Sequence, residues 1–297
     1  MNKVIVLTGP TGVGKTELSL KLASLLNTEI INADASQMKK HLDIGTGKYD
    51  IKETTIKHHL FNIIEADEFF SIKDYQDRAK KVIDELLSQS KIPLIVGGTG
   101  LYINSILYNY DLSNNGRNIE MENKYNNLTN SELHNILAEL DKEKALEIHE
   151  NNRRRVLRAI ERLVEGDSYL DNDNELVYDA LVIVLDTDRN ILYERINRRV
   201  DKMFDDGWVL EAKEIKDKYN YKNIKDIGYS EIFDYLDNKM TLEETKELIK
   251  QKTRNYAKRQ LTWFRNKLPS KIINVNYQNI DETFEEICKL TKDFIEK

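Results

Sequence analysis

Lys3-Val-Ile-Val-Leu-Thr8 runs directly into Gly9-Pro10-Thr11-Gly12-Val13-Gly14-Lys15-Thr16. The first six residues enclose an apolar run, Val4–Leu7, rich in β-branched side chains, as a strand buried on both faces requires. The next eight match the phosphate-loop spacing, and Thr16–Leu26, with apolar residues at Leu18, Leu22, Leu25 and Leu26, reads as the following helix. Strand, glycine loop and helix in that order form the context in which the pattern carries meaning. Glycines let successive N–H groups converge on phosphate oxygens at a helix N-terminus; Lys15 adds a point charge, and the Thr16 hydroxyl can ligate Mg²⁺. The loop fixes an anion site and leaves the phosphate compound, and so the reaction, open.

Working outward, Glu29–Ala33, Ile92–Val96, Ala180–Leu185 and Lys271–Val275 are further apolar strand candidates, and Tyr75–Leu87 repeats the amphipathic helix. Strands alternating with helices predict a parallel α/β sheet covered on both faces, of the P-loop nucleoside-triphosphate-hydrolase type. From about Asp111 to Asp173 Asn, Asp, Glu and Lys dominate and only helical periods survive, as at Leu133, Ile136, Leu137 and Leu140. The expected organisation is a core of residues 1–110 and 174–297, helical toward its C-terminus, with an all-helical insertion at 111–173.

The chain has 297 residues, a net charge of −6 and one cysteine, Cys288, which excludes an internal disulfide and a multi-cysteine metal site. Val4–Leu7 is too short for a secretory or membrane segment, so the expected location is the cytoplasm, with no membrane contact. Net charge argues weakly against nucleic acid, but the basic residues are gathered. Arg153, Arg154, Arg155, Arg158 and Arg162 crowd one short stretch. Lys250, Lys252, Arg254, Lys258, Arg259, Arg265 and Lys267 share another without an acidic residue, interleaved with Tyr256, Trp263 and Phe264. Charge plus aromatic faces suits phosphate contacts and stacking on unpaired bases, and is favoured over a plain solvated helix face.

Asp34 follows the second strand, where open α/β sheets bind ligands, and is either a general base or orienting acceptor, or a helix cap or a group behind a metal ion. Gly97-Gly98-Thr99-Gly100 ends the third strand; three glycines there suit close approach to a ligand, with Thr99 a hydrogen-bonding partner. Asp43–Lys48 reads as a plain glycine loop. His58 and His59, adjacent on an extended segment, point to opposite faces and suit no common metal. Arg195, Arg198 and Arg199 can reach the phosphate loop.

In order along the chain these words resemble the bacterial tRNA dimethylallyltransferase family: Gly9–Thr16, Asp34 with Gln37, Asp43–Thr46, His58–Leu60, Val96–Tyr102, Ile148–His149, Asn151–Arg155, Ile227–Tyr229, and Arg254 with Lys258–Arg265. The resemblance implies transfer of a dimethylallyl group from dimethylallyl diphosphate to the exocyclic N6 amine of the adenosine 3′ to the anticodon, with release of diphosphate. It implies Lys15, Thr16 with Mg²⁺, the loop amides and Arg199 at the diphosphate, Asp34 as base and Thr99 as a second substrate contact. It further implies that a monomer holds the tRNA anticodon stem-loop through Asp34, Ala35, Ser36, Gln37, Thr99, Arg117, Lys225, Gly228, Tyr229, Arg254, Lys258, Arg259 and Gln260. The sequence departs from the family at Ala35 for serine, Lys39 for tyrosine, His41 for glycine and Asn152 for aspartate, and Asp167–Glu175 replaces a glycine-containing segment. Competing readings are a nucleoside or nucleotide kinase, an isopentenyltransferase acting on free adenylate, and a non-catalytic RNA-binding protein.

Overall fold

A computed structural model of the 297-residue chain describes residues 1–108, 119–165 and 176–297. The chain divides into two compact units, Met1–Asn109 with Glu175–Lys297, and Tyr110–Asn174.

The larger unit is built on six strands: β1 (Lys3–Thr8), β2 (Ile30–Asn32), β3 (His58–His59), β4 (Leu94–Gly97), β5 (Asp179–Asp186) and β6 (Ser270–Asn274). All pairs are parallel, in the order β3-β2-β4-β1-β5-β6. The five strands expected from the sequence are present with ends shifted by up to two residues; β3 is additional and only two residues long. Alternation along β1 shows how both faces are buried. Val4 and Val6 join one apolar cluster, with Tyr75, Ala79 and Ile83 of α2 (Ile72–Ser88) and Ile103 of α3 (Gly100–Leu107). Ile5 and Leu7 join another, with Leu18 and Leu22 of α1 (Lys15–Leu25). Successive strand side chains point to opposite faces, so a run of apolar residues supplies both cores.

Connections from β1 to β2 and from β4 to β5 pass to opposite sides of β1. The order therefore reverses beside β1 and β4, which opens a crevice at their carboxyl ends. Register aligns Thr8 with Gly97 and Asn32 with Val96, so the three segments leaving β1, β2 and β4 start from one rim.

Smaller-unit residues form α4 (Ile119–Lys124), α5 (Asn130–Leu140), α6 (Lys142–Glu147) and α7 (Arg153–Glu165) around Leu133, Leu137, Val156 and Ile160. Thr129 and Glu132 cap α5 reciprocally. After β5 come α8 (Arg189–Asp205), α9 (Trp208–Lys218), α10 (Tyr229–Leu236), α11 (Leu242–Lys267) and α12 (Ile280–Ile295). Trp208, fully buried, organises a third cluster with Tyr229 and Phe233. Side chains at Gly45 and Gly228 would overlap its ring, and Gly228 also has φ +96°. α11 places Ile249 in that cluster, Ala257 in the α1-side core and Phe264 in the other. No helix among the described residues is long and apolar enough to cross a membrane.

Candidate active site

The loop after β1 wraps a cavity of about 400 Å³ lined by Lys15, Thr16, Asp34, Gln37, Thr46 and Arg199 among others. Gly9, Gly12 and Gly14 all have positive φ, and a Cβ on Gly9 would press on the Leu185 carbonyl. Only glycine adopts these angles there without strain. Lys15 Nζ donates to the Gly9 and Pro10 carbonyls, both at 2.9 Å. Burial lowers its pKa from 10.5 to about 8; Asp34 opposes that shift and Arg199 adds to it. Thr16 stands exposed on the first turn of α1.

Arginines of α8 line the same cavity. Arg195 Nε donates to the Gly12 carbonyl at 3.0 Å and its guanidinium stacks 3.9 Å from the Tyr277 ring centre, while the Tyr277 hydroxyl donates to the Val13 carbonyl. Arg199 donates to the Thr46 carbonyl, and burial pulls its pKa below the usual guanidinium value. Arg198 also lines the cavity but is exposed at its edge. Guanidinium groups already stacked or hydrogen-bonded would have little freedom left to lose on meeting an anion.

Asp34 leaves the end of β2 held on several sides. Its N–H donates to Asn32 Oδ1, and its carboxylate accepts N–H groups of Ser36 and Gln37. The Ala35 N–H donates to Thr99 Oγ1 at 3.1 Å, and Tyr256 also hydrogen-bonds Thr99. Burial raises the Asp34 pKa, and Lys15 partly offsets it. A desolvated carboxylate beside two cations is a stronger base than one in water and remains able to ionise.

The glycines after β4 serve protein contacts. A Cβ at Gly97 would overlap the Ala33 backbone, one at Gly98 the Gln260 carboxamide, and one at Gly100 the Trp263 ring. These close approaches within the protein bring β2, β4 and α11 against the loop, and Gly97 also lines the cavity itself. Gln260, only 5% exposed, accepts the Thr11 N–H and donates to the Gly98 carbonyl, both at 2.9 Å. The sequence placed Gln260 with RNA contacts; here its amide bridges the phosphate loop to the β4 turn.

Asp43–Lys48 is more than a plain loop. Thr46 and Gly47 line the cavity, a side chain at Gly47 would overlap Arg199, and Tyr49, His58 and Phe61 form an aromatic wall. His58 stacks on Tyr49 and meets Phe61 edge-on, while His59 pairs with Glu29 at 2.6 Å. The order of the words Asp43–Thr46 and His58–Leu60 was the available sequence signal for this wall.

Tyr229 is fully buried, its hydroxyl donating to Glu211 and accepting from the Gly45 N–H. Lys225 is exposed just before it. Arg254 donates to Asn197, whereas Lys258 and Arg259 are exposed on α11. The stretch free of acids in sequence meets acids in space: Lys250 pairs with Asp201 and Glu247, Lys252 with Glu231, and Arg265 with Asp186. On α7, Arg153 caps the Leu128 and Tyr125 carbonyls and Arg158 pairs with Glu161; Arg154 and Arg155 are exposed. Arg117 lies outside the described residues.

Fold and site together define a phosphate-loop α/β protein whose anion cradle opens beside a half-buried carboxylate. The family model described as IPP transferase matches residues 37–267, and the chain belongs to that family. It is 43% identical over 305 residues to the tRNA dimethylallyltransferase of Clostridioides difficile, covering 98% of each chain. It is 45% identical to that of Bacillus velezensis, covering 90% of this chain and 88% of the relative. Among solved structures, the full-length tRNA isopentenylpyrophosphate transferase of Bacillus halodurans superposes with TM-score 0.73 at 37% identity, covering 100% and 99% of the two chains. A eukaryotic dimethylallyltransferase acting on tRNA superposes with TM-score 0.85 at 27% identity, covering 100% of this chain and 80% of that one.

Proposed function

We propose that this protein is a tRNA dimethylallyltransferase, moving a dimethylallyl group from dimethylallyl diphosphate to N6 of the adenosine 3′ to the anticodon. The observation that carries the reading is Asp34, a half-buried carboxylate facing Lys15 and Arg199 across the phosphate-loop cavity. A kinase needs its cations on a phosphate that moves; a prenyl transfer needs them on one that leaves, with a base opposite.

The amine is a weak nucleophile because its lone pair is delocalised into the ring, so the barrier falls chiefly through leaving-group departure. The N6 lone pair forms the new bond to C1 of the donor as the C1–O bond breaks and its electrons pass to diphosphate. Lys15, Arg199 and the loop N–H groups stabilise that charge as it develops. Asp34 takes the proton released from N6, and Thr99 supports the segment beside it.

Mg²⁺ is the cation proposed for this site. No group of three His, Cys, Asp or Glu among the described residues could hold a metal by itself. The exposed Thr16 hydroxyl on the cavity edge fits an ion that takes most of its oxygens from diphosphate. Such an ion supplies charge neutralisation on the leaving group.

The target adenine is stacked in its loop and must be turned outward to reach Asp34, with Gln37 facing its neighbours. Lys225, Arg254, Lys258 and Arg259 supply phosphate contacts, with Ala35 and Ser36 beside the acceptor base; Gly228 and Tyr229 are buried and act from beneath, by holding the Gly45 turn and Trp208 in place. The 111–173 insertion, with Arg117 and the exposed Arg154 and Arg155, is the accessory unit proposed for further RNA contact. All catalytic groups come from one chain, so a monomer suffices, working in the cytoplasm where its RNA is.

Incubation with labelled dimethylallyl diphosphate and unmodified tRNA, without ATP, tests the reading. Label in the anticodon-loop adenosine is expected; unlabelled RNA, or label on free adenylate in preference to RNA, refutes it.

A further inference from the structure

Asp226 lies two residues before Gly228, away from the phosphate loop in sequence, yet both of its carboxylate oxygens are engaged beside Asp34. Ser36 Oγ donates to Asp226 Oδ1 at 2.6 Å, and Lys39 Nζ donates to Oδ2 at 2.6 Å. Both side chains of the ion pair are largely buried, Lys39 at 17% and Asp226 at 11% exposure. With each oxygen held by a different donor the carboxylate cannot turn, and with Lys39 beside it the charge is compensated inside the fold.

Ser36 is the link. Its hydroxyl is tied to Asp226 while its N–H donates to Asp34 Oδ1 at 3.1 Å. Asn32 and Thr99 hold the backbone on either side of Asp34 and leave its side chain free to rotate. The carboxylate itself is oriented by the Ser36 and Gln37 amides, at the start of a single 3₁₀ turn spanning Ser36–Met38. A second oxygen, Oδ2, remains on the Gly98 side of the group.

We propose that Asp226 is a positioning residue for Asp34, acting through Ser36, with Lys39 as its fixed counter-ion. The proposal rests on the reading of Asp34 as the proton acceptor. Lys39 neutralises Asp226 from the end of the same 3₁₀-turn segment that carries Ser36, so the ion pair and the serine fix the turn together. Removing Lys39 leaves a largely buried carboxylate uncompensated; removing Asp226 releases Ser36 and lets Asp34 swing.

The test is transfer of labelled dimethylallyl to tRNA by the full chain at saturating substrate. Asp226→Ala is expected to lower kcat roughly ten- to hundredfold, while the donor KM stays within about twofold, because misplacement of a reacting group acts on the chemical step. Asp226→Asn keeps an acceptor for Ser36 and recovers most of the loss. Ser36→Ala reproduces Asp226→Ala, and the double variant is no slower than the worse single, as one connected path requires. Wild-type kcat in Asp226→Ala, an Asn variant no better than Ala, or losses that multiply in the double variant would each overturn the proposal. An active wild type with an indifferent Asp226→Ala removes only the positioning role; an inactive wild type removes the functional reading and this role together.

Discussion

Raising the pH from 7 to 9 should switch off donor capture by titrating one ammonium group. Lys15 carries a pKa of about 8 because burial disfavours its charge, Arg199 adds to that effect, and Asp34 opposes it. A group with that pKa is roughly nine-tenths protonated at pH 7 and roughly one-tenth at pH 9, so kcat/KM for the donor should fall about tenfold. Donor phosphates are already ionised above about pH 7 and add nothing to the change. The neighbours fix the sign in variants. Asp34→Asn removes the charge that raises the Lys15 pKa and moves the alkaline limb down, read as donor binding since turnover is lost. Arg199→Met removes the charge that lowers it and moves the limb up. Lys15→Arg does not titrate in this range and flattens the profile. The assay is initial-rate transfer at subsaturating donor between pH 6.5 and 9.5, with folding monitored by circular dichroism. A profile level to pH 9.5 in the wild type, or a limb that survives in Lys15→Arg, would refute the assignment.

Asp34→Asn should lower kcat by roughly 10²- to 10⁴-fold, the usual worth of a placed general base, while binding of an anticodon stem-loop changes little; full turnover in that variant would end its role as base. Gln260→Leu should raise the donor KM by about tenfold and leave the RNA KM nearly unchanged, since it strands the Thr11 N–H and the Gly98 carbonyl and costs about 1–3 kcal/mol; an RNA-only effect would contradict this. Glu29 is held at about pKa 2, because hydrogen bonds from Lys91 and His59 outweigh the opposing effect of burial. Its folded pKa is depressed, so its stabilisation is present above pH ~4.5 and disappears as pH falls toward 2. Glu29→Gln should cost about 1–2 kcal/mol in urea titrations at pH 7, discounted for solvent screening, and nothing near pH 2; an equal deficit at both would argue against the ion cluster.

The sheet was legible because a strand buried on both faces must be apolar at nearly every position, and Val4–Leu7 is. β3 escaped because its two residues are histidines, and pairing with Ile30 and Ile31 is what makes them a strand. α2 begins earlier than its apolar period shows, at a reciprocal cap between Ser71 and Asp74 that the sequence carries but the period does not. The phosphate loop and Asp34 were readable because their chemistry is local. What could not be read is which chain each glycine or cation meets: Gly97 and Gly100 admit protein, Lys252 finds Glu231, and Asp226 finds Lys39 from 187 residues away. Such pairings belong to the tertiary fold and leave no spacing in the sequence.

The glycines that give way to tryptophan rings have a practical consequence. The chain has two tryptophans, Trp208 lodged against Gly45 and Gly228, and Trp263 against Gly100. Both indole N–H groups are buried and without a hydrogen-bond partner among the described residues. Their emission should therefore be blue-shifted, and any substrate that moves the 43–48 loop or the turn after β4 should redden one of them. Single Trp→Phe variants would turn the enzyme into its own fluorescent gauge, one emitter for each turn, with no label attached.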